Sequence, residues 1–168
     1  MTDREWLEDN EEEEDLFRET VQFDNLVLPG LTTFNNMRFS GLKEPDELIQ
    51  GILRRKRKML LSGPSKSAKS CMLLELAVSI TEGIPWLGFP CKKSNVLYIN
   101  LELEGTTAWS RLETIYKKFG IDTSKIDDSL QLWNMRGYSY TIQTLANPIV
   151  YACNDQKIAA VIDRKSVV

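Results

Sequence analysis

The sequence predicts an α/β fold, a mostly parallel sheet flanked by helices, and three observations predict it. Short apolar runs of strand length alternate with helix-length segments from residue 58 to residue 163. Strands separated in this way by helices are the raw material of a parallel sheet covered on both faces. A glycine-containing loop, GPSKSAKS at 63–70, falls between the first of these strands and the first of these helices. The last run, IAAVID at 158–163, ends in an acid.

The elements follow in order. Residues 1–20 carry ten acidic and two basic side chains and few core formers, so they are expected to be an acidic, disordered leader. Such a leader is either a solvating tail or a flap that competes with DNA for the rest of the chain. Residues 21–42 mix apolar residues with turn signals at Pro29-Gly30, Asn35-Asn36 and Ser40-Gly41, and predict an irregular lead-in. From Pro45, PDELIQGILRRKRK places Leu48, Ile49, Ile52 and Leu53 at helical spacing. The predicted helix ends in the basic cluster Arg54, Arg55, Lys56, Arg57 and Lys58. That cluster is either a solvated end favoured by the helix dipole or a contact for phosphate or nucleic acid.

KMLLS at 58–62 predicts a buried strand, and residues 69–82 a helix apolar almost all round. NVLYINL at 95–101 predicts the second strand. In the helix predicted over 105–119, Trp109, Leu112, Tyr116 and Phe119 share one stripe, and Gly120 stops it. SLQLWNM at 129–135 is the third strand. Ile142, Leu145, Ala146, Ile149 and Val150 are helically spaced, but Pro148 interrupts them. Asn147 as cap and Pro148 as first helical residue would move the start of that helix. KIAAVID at 157–163 is the fourth strand, and no internal repeat is visible.

Composition narrows the chemistry. The 168 residues, 42% hydrophobic and 27% charged, suit one globular domain with a sizeable core. No apolar run reaches the roughly 18 residues of a membrane span, and MTDREWLEDN is unlike a signal peptide. The cysteines Cys71, Cys91 and Cys153 lack C-x-x-C spacing and read as reduced thiols of a cytoplasmic protein. There is no histidine, which excludes a Ser-His-Asp triad, a histidine base and histidine-ligated metal. Beyond residue 20 the chain carries fourteen acidic and nineteen basic side chains, compatible with a polyanionic ligand.

The loop at 63–70 approaches the phosphate-binding pattern G-x-x-x-x-G-K-[ST]. Gly63, Lys69 and Ser70 match, while Ala68 holds the place of the second glycine. A loop between a buried strand and the helix it opens can wrap phosphates with the backbone of Gly63, Pro64, Ser65, Lys66, Ser67 and Ala68. Lys69 would then reach the terminal phosphates and the Ser70 hydroxyl would hold Mg²⁺. Ala68 is tolerable where its backbone is helical or nearly so, and unfavourable only where φ must be positive.

With these residues in view, the stretch MLLSGPSKSAKSCMLLELAVSITEGIPWLGFPCKKSNVLYINLELE resembles the AAA_25 group of RecA-like P-loop ATPases. That group includes the RepA-type plasmid replicative helicases, and the resemblance runs from about Leu28 to Asp163. It implies a RecA-like P-loop core over 21–163, ATP with Mg²⁺, and a homo-oligomeric ring such as a hexamer. It also implies work on DNA in replication or mobile elements, away from membranes. By the resemblance Glu102, in NLELE, matches the catalytic base and Glu104 is the second candidate; both also read as exposed acids capping the next helix. Arg111 and Arg136 match positions where the group carries arginine, and would contact phosphate, a neighbouring subunit or Glu102. They read equally well as surface ion pairs. Asp163, closing an apolar strand, has the form of an acid that holds Mg²⁺ through water.

The chain reaches Val168 before the remaining strands that the resemblance implies, so a C-terminally truncated core is expected. Residues 164–168, RKSVV, are expected to be a non-native tail. One reading frame of a common sequencing adapter, GATCGGAAGAGCGTCGTG, encodes DRKSVV, which leaves Asp163 itself ambiguous. The activity expected of the intact family is that of an ATPase subunit of a DNA motor, and this truncated chain is expected to be inactive. Two alternatives are a nucleotide-gated DNA-binding or regulatory module with little turnover, and a small-molecule P-loop kinase, for which no acceptor lid is visible.

Overall fold

A computed structural model describes residues 20–23 and 26–164. Apart from Thr20 and Arg164, the expected acidic leader and the expected non-native tail lie outside the described residues. The chain divides into two compact units, Met1–Glu44 and Pro45–Val168.

The first unit is more regular than the expected lead-in. Strands β1 (Thr20–Phe23) and β2 (Leu26–Pro29) pair antiparallel, with Thr20 opposite Pro29 and Phe23 opposite Leu26. Helix α1 (Phe34–Phe39) follows, capped by the Thr33 hydroxyl, which accepts from the Asn36 amide at 3.2 Å. Threonine at a cap satisfies one of the amides that a helix start leaves open.

The second unit opens with a correction. The helix expected from Pro45 is instead a hairpin of β3 (Glu47–Ile49) and β4 (Leu53–Arg54). Gly51 takes φ +69° at its tip, a conformation that costs glycine little and ends any helix. The backbone of this segment finds partners elsewhere: Gln50 N donates to Pro90 O and Lys92 N to Leu48 O, both at 2.9 Å. Ile49 also bridges to Cys91. Long-range pairing overrides the helical spacing of four apolar residues. The basic cluster is accordingly no helix end, and Arg54 is tied to Glu47 at 3.0 Å.

The remaining elements alternate as expected. They are α2 (Lys69–Glu82), β5 (Asn95–Asn100), α3 (Gly105–Lys118), a 3₁₀ turn at Thr123–Lys125, β6 (Leu130–Asn134), α4 (Ile142–Asp155) and β7 (Ile158–Arg164). The three strands form a parallel sheet in the order β6-β5-β7. Asn100 at the end of β5 stands opposite Asn134 on one side and Arg164 on the other. The chain passes from the central strand to one edge and then back to the other. Helix α3 packs on α2, and α4 packs on β7.

The core explains why β5 is central. Val96 and Tyr98 join Leu74, Ala77, Val78 and Ile80 of α2, Leu112, Ile115 and Tyr116 of α3, and Ile162 of β7. Helix α2 is buried along most of its length, as its all-round apolar sequence requires. Helix α3 ends before Gly120, and Ile121 N closes it on Tyr116 O at 3.0 Å.

Three further expectations need correction. KMLLS is not a strand: residues 57–64 have no regular structure and the Leu60 side chain is 89% exposed. Among the described residues no strand lies beside it, and an unpaired strand leaves its backbone groups to water. Trp109 leaves the apolar stripe and is exposed: the buried face of α3 runs through Ala108, Leu112, Ile115 and Tyr116 instead. Helix α4 starts at Thr141, not Asn147: the Thr141 hydroxyl accepts from Thr144 N at 3.3 Å, and Pro148 lies inside the helix. Asparagine is the better cap by type, so cap preference alone does not decide the start; the Thr141 hydroxyl is the one bonded to a first-turn amide.

Candidate nucleotide site

The loop before α2 is shaped by its own backbone. Lys66 and Ala68 both adopt left-handed conformations, φ +63° and +60°. Left-handed residues set beside right-handed ones are the backbone pattern of a nest, which can turn successive amides toward an anion. Ala68 thus falls in the unfavourable case, a positive φ on a residue with a side chain, where glycine would be at ease. The reason is geometric, since the chain must turn there to enter α2 at Lys69. A Cβ on Gly63 would stand 3.0 Å from Ser67 Oγ, so that hydroxyl would have to give way by a few tenths of an ångström.

Lys69 curls back over this loop. Its ammonium donates to Gly63 O at 2.8 Å and Pro64 O at 2.6 Å, with Ser67 Oγ at 3.4 Å. The lysine charge therefore sits at the mouth of the nest, beside the open amides of the α2 N-terminus. Ser70, in the first turn of α2, is buried.

The acids lie at the C-terminal ends of the parallel strands, where such sheets bind ligands. Glu102 is half-buried in the turn after β5, with Oε2 shielded from solvent. Glu104 precedes α3 and pairs with Arg136 at 3.1 Å, both exposed. Arg136 is thus drawn to the second-choice acid. Arg111 is half-buried on α3. Asp163 is exposed near the end of β7, opposite Ile99 of β5.

Two residues escaped the sequence reading. Asn100, 2% exposed, donates to Leu103 O at 2.8 Å and to Asn134 Oδ1 at 2.9 Å, and accepts from Leu103 N at 2.9 Å. The signal was available: an asparagine closing the apolar run NVLYIN needs partners wherever it is buried.

These residues fit a magnesium nucleotide. The nest and Lys69 suit a polyphosphate, and the Ser70 hydroxyl and Asp163 carboxylate are the hard oxygen ligands that Mg²⁺ takes. No described helix is long and apolar enough to cross a membrane. No curated protein and no solved structure matches the chain. A family model of the AAA domain, AAA_25, matches residues 22–167. That match spans the loop, the sheet and every candidate residue above: the chain belongs to the AAA_25 family of P-loop ATPases.

Proposed function

We propose that this chain is the ATP-binding, Mg²⁺-dependent ATPase subunit of a DNA motor like the RepA-type replicative helicases, serving DNA replication or mobile-element maintenance. The observation that carries the reading is the nest at 63–70 with Lys69 folded over it and α2 opening behind it. Gly63 to Ala68 hold the phosphates by their backbone, and Lys69 neutralises the charge of the terminal ones. Ser70 and Asp163 would hold Mg²⁺, which when bound draws charge from the phosphate oxygens. Glu102 orients the attacking water and takes its proton. Arg111 and Arg136 act at phosphate or at the next subunit of a homo-oligomeric ring.

Phosphate release, measured with and without single-stranded DNA, tests this. DNA should stimulate release by the intact protein. Glu102→Gln should retain ATP binding and lose about 10²-fold in turnover, while Glu104→Gln changes little. Reversed effects would move the base to Glu104. Nucleotide-dependent DNA binding without turnover would favour a regulatory module instead.

A further inference from the structure

We propose that Asn100 and Asn134 form an amide relay that sets the position of Glu102, making both positioning residues for hydrolysis; this rests on the reading of Glu102 as the base. The four residues before Asn100 on β5 are apolar and buried. A primary amide continuing that run must be satisfied, because a buried polar group without partners costs about 1–3 kcal/mol.

Asn100 meets this need by closing a ring around Glu102. Its Oδ1 takes the Leu103 N–H and its Nδ2 gives to the Leu103 carbonyl, so both backbone groups of that residue are held by one side chain. Leu101 and Glu102 are the residues enclosed. The Glu102 backbone cannot shift without breaking one of these bonds.

The ring is anchored to the neighbouring strand. Asn134, at the end of β6, presents Oδ1 to Asn100 Nδ2, and Met135 N donates to Asn100 O at 2.8 Å. The Asn134 amide also lies against the first residue of α3, 3.5 Å from where a Gly105 Cβ would stand. Asn134 therefore braces the turn from β6 and from the start of α3 together. The arrangement asks one short side chain for an acceptor and two donor directions, which is the inventory of asparagine. Aspartate at position 100 would lose both donors; at position 134 it would keep the acceptor.

The test compares, in the intact protein, Asn100→Ala, Asn134→Leu and Asn134→Asp with Glu102→Gln. Binding of a fluorescent ATP analogue with Mg²⁺ and steady-state phosphate release are measured for each, with hydrogen exchange at the Leu103 amide. Asn100→Ala should lower kcat by about 10–10²-fold with KM and nucleotide affinity unchanged, since small misplacements near the chemistry have effects of that size. Asn134→Leu should lower kcat less, by about tenfold, and Asn134→Asp should restore it to within about twofold. Leu103 exchange should accelerate in Asn100→Ala and Asn134→Leu alone, a reading that needs no turnover. In a Glu102→Gln background Asn100→Ala should remove nothing further. Native kcat or native Leu103 exchange in both Asn100→Ala and Asn134→Leu, with Glu102→Gln inactive, would overturn the relay and leave the base in place. An active Glu102→Gln would overturn the base, and the relay's role with it. Parallel loss of kcat, nucleotide affinity and thermal stability would mark the amides as structural. Should Asn100→Ala fail to fold, the Asn134 pair decides, because that side chain is exposed.

Discussion

Two apolar runs flank α2, KMLLS at 58–62 and NVLYIN at 95–100, and they have opposite fates. The second is β5, paired on both edges, with Val96, Tyr98 and Ile99 at most 3% exposed. The first has no ladder among the described residues, and its Leu60 points into solvent. Apolar composition is common to both, so it does not decide. Partners for the backbone decide, because a strand is stable only where its N–H and C=O groups are taken up. The difference carries into the site. The Glu102 turn stands on a buried strand and is clamped by Asn100, whereas the phosphate loop is held by α2 and by the bonds of Lys69 to its carbonyls.

The largest test of this contrast is stability. Ile99→Ala should destabilise by about 2–5 kcal/mol in urea unfolding, as buried large-to-small changes do. Leu60→Ala should stay within about 0.5 kcal/mol, as surface changes do. A comparable loss at both would mean that 58–62 is packed and the contrast is false.

A smaller effect belongs to the loop. A left-handed conformation costs a side-chain-bearing residue about 1–2 kcal/mol. Glycine's greater freedom in the unfolded chain offsets about 0.5–1 kcal/mol of that gain. Ala68→Gly should therefore favour the nest modestly and bind the ATP analogue a few-fold tighter. Weaker binding would show that the alanine methyl contributes packing that glycine loses.

The smallest effect is electrostatic. A hydrogen bond from Lys92 holds the Asp46 carboxyl below its ordinary range; burial opposes it, and the charges of Lys92 and Arg55 add smaller downward effects. A depressed folded value means that the stabilisation is present above the unfolded value of roughly 4. It is lost as pH falls through the folded value. Asp46→Asn should flatten the stability profile in that acid range by lowering stability at neutral pH, and leave stability below the folded value nearly unchanged. An unaltered acid slope would mean that the Lys92 pair, which ties β3 to the 90–92 segment, does not contribute.

Much of the sheet was legible because its signals are local. The run ending at Asn100, the all-apolar helix after the loop and the glycine after α3 each specify their element from neighbouring residues. Long-range pairing was not legible. Nothing within PDELIQGIL announces that Leu48 and Gln50 will bond to residues 90–92, and that partnership makes a hairpin of a helical pattern. The same blindness made KMLLS a strand. At the candidate site, residue types and spacing marked Lys69, Ser70 and Asp163 as candidates and the family resemblance marked Glu102, but neither carried the sign of φ at Ala68. Nor did they reveal that Arg136 would face Glu104.

The central claim is that residues 63–70 hold a nucleotide's phosphates. The most direct measurement is titration of the purified chain and of Lys69→Ala with a fluorescent ATP analogue and Mg²⁺. The native chain should bind, and Lys69→Ala should lose about tenfold or more in affinity, the value of one charged hydrogen bond. Equal affinity in the two chains would contradict the account.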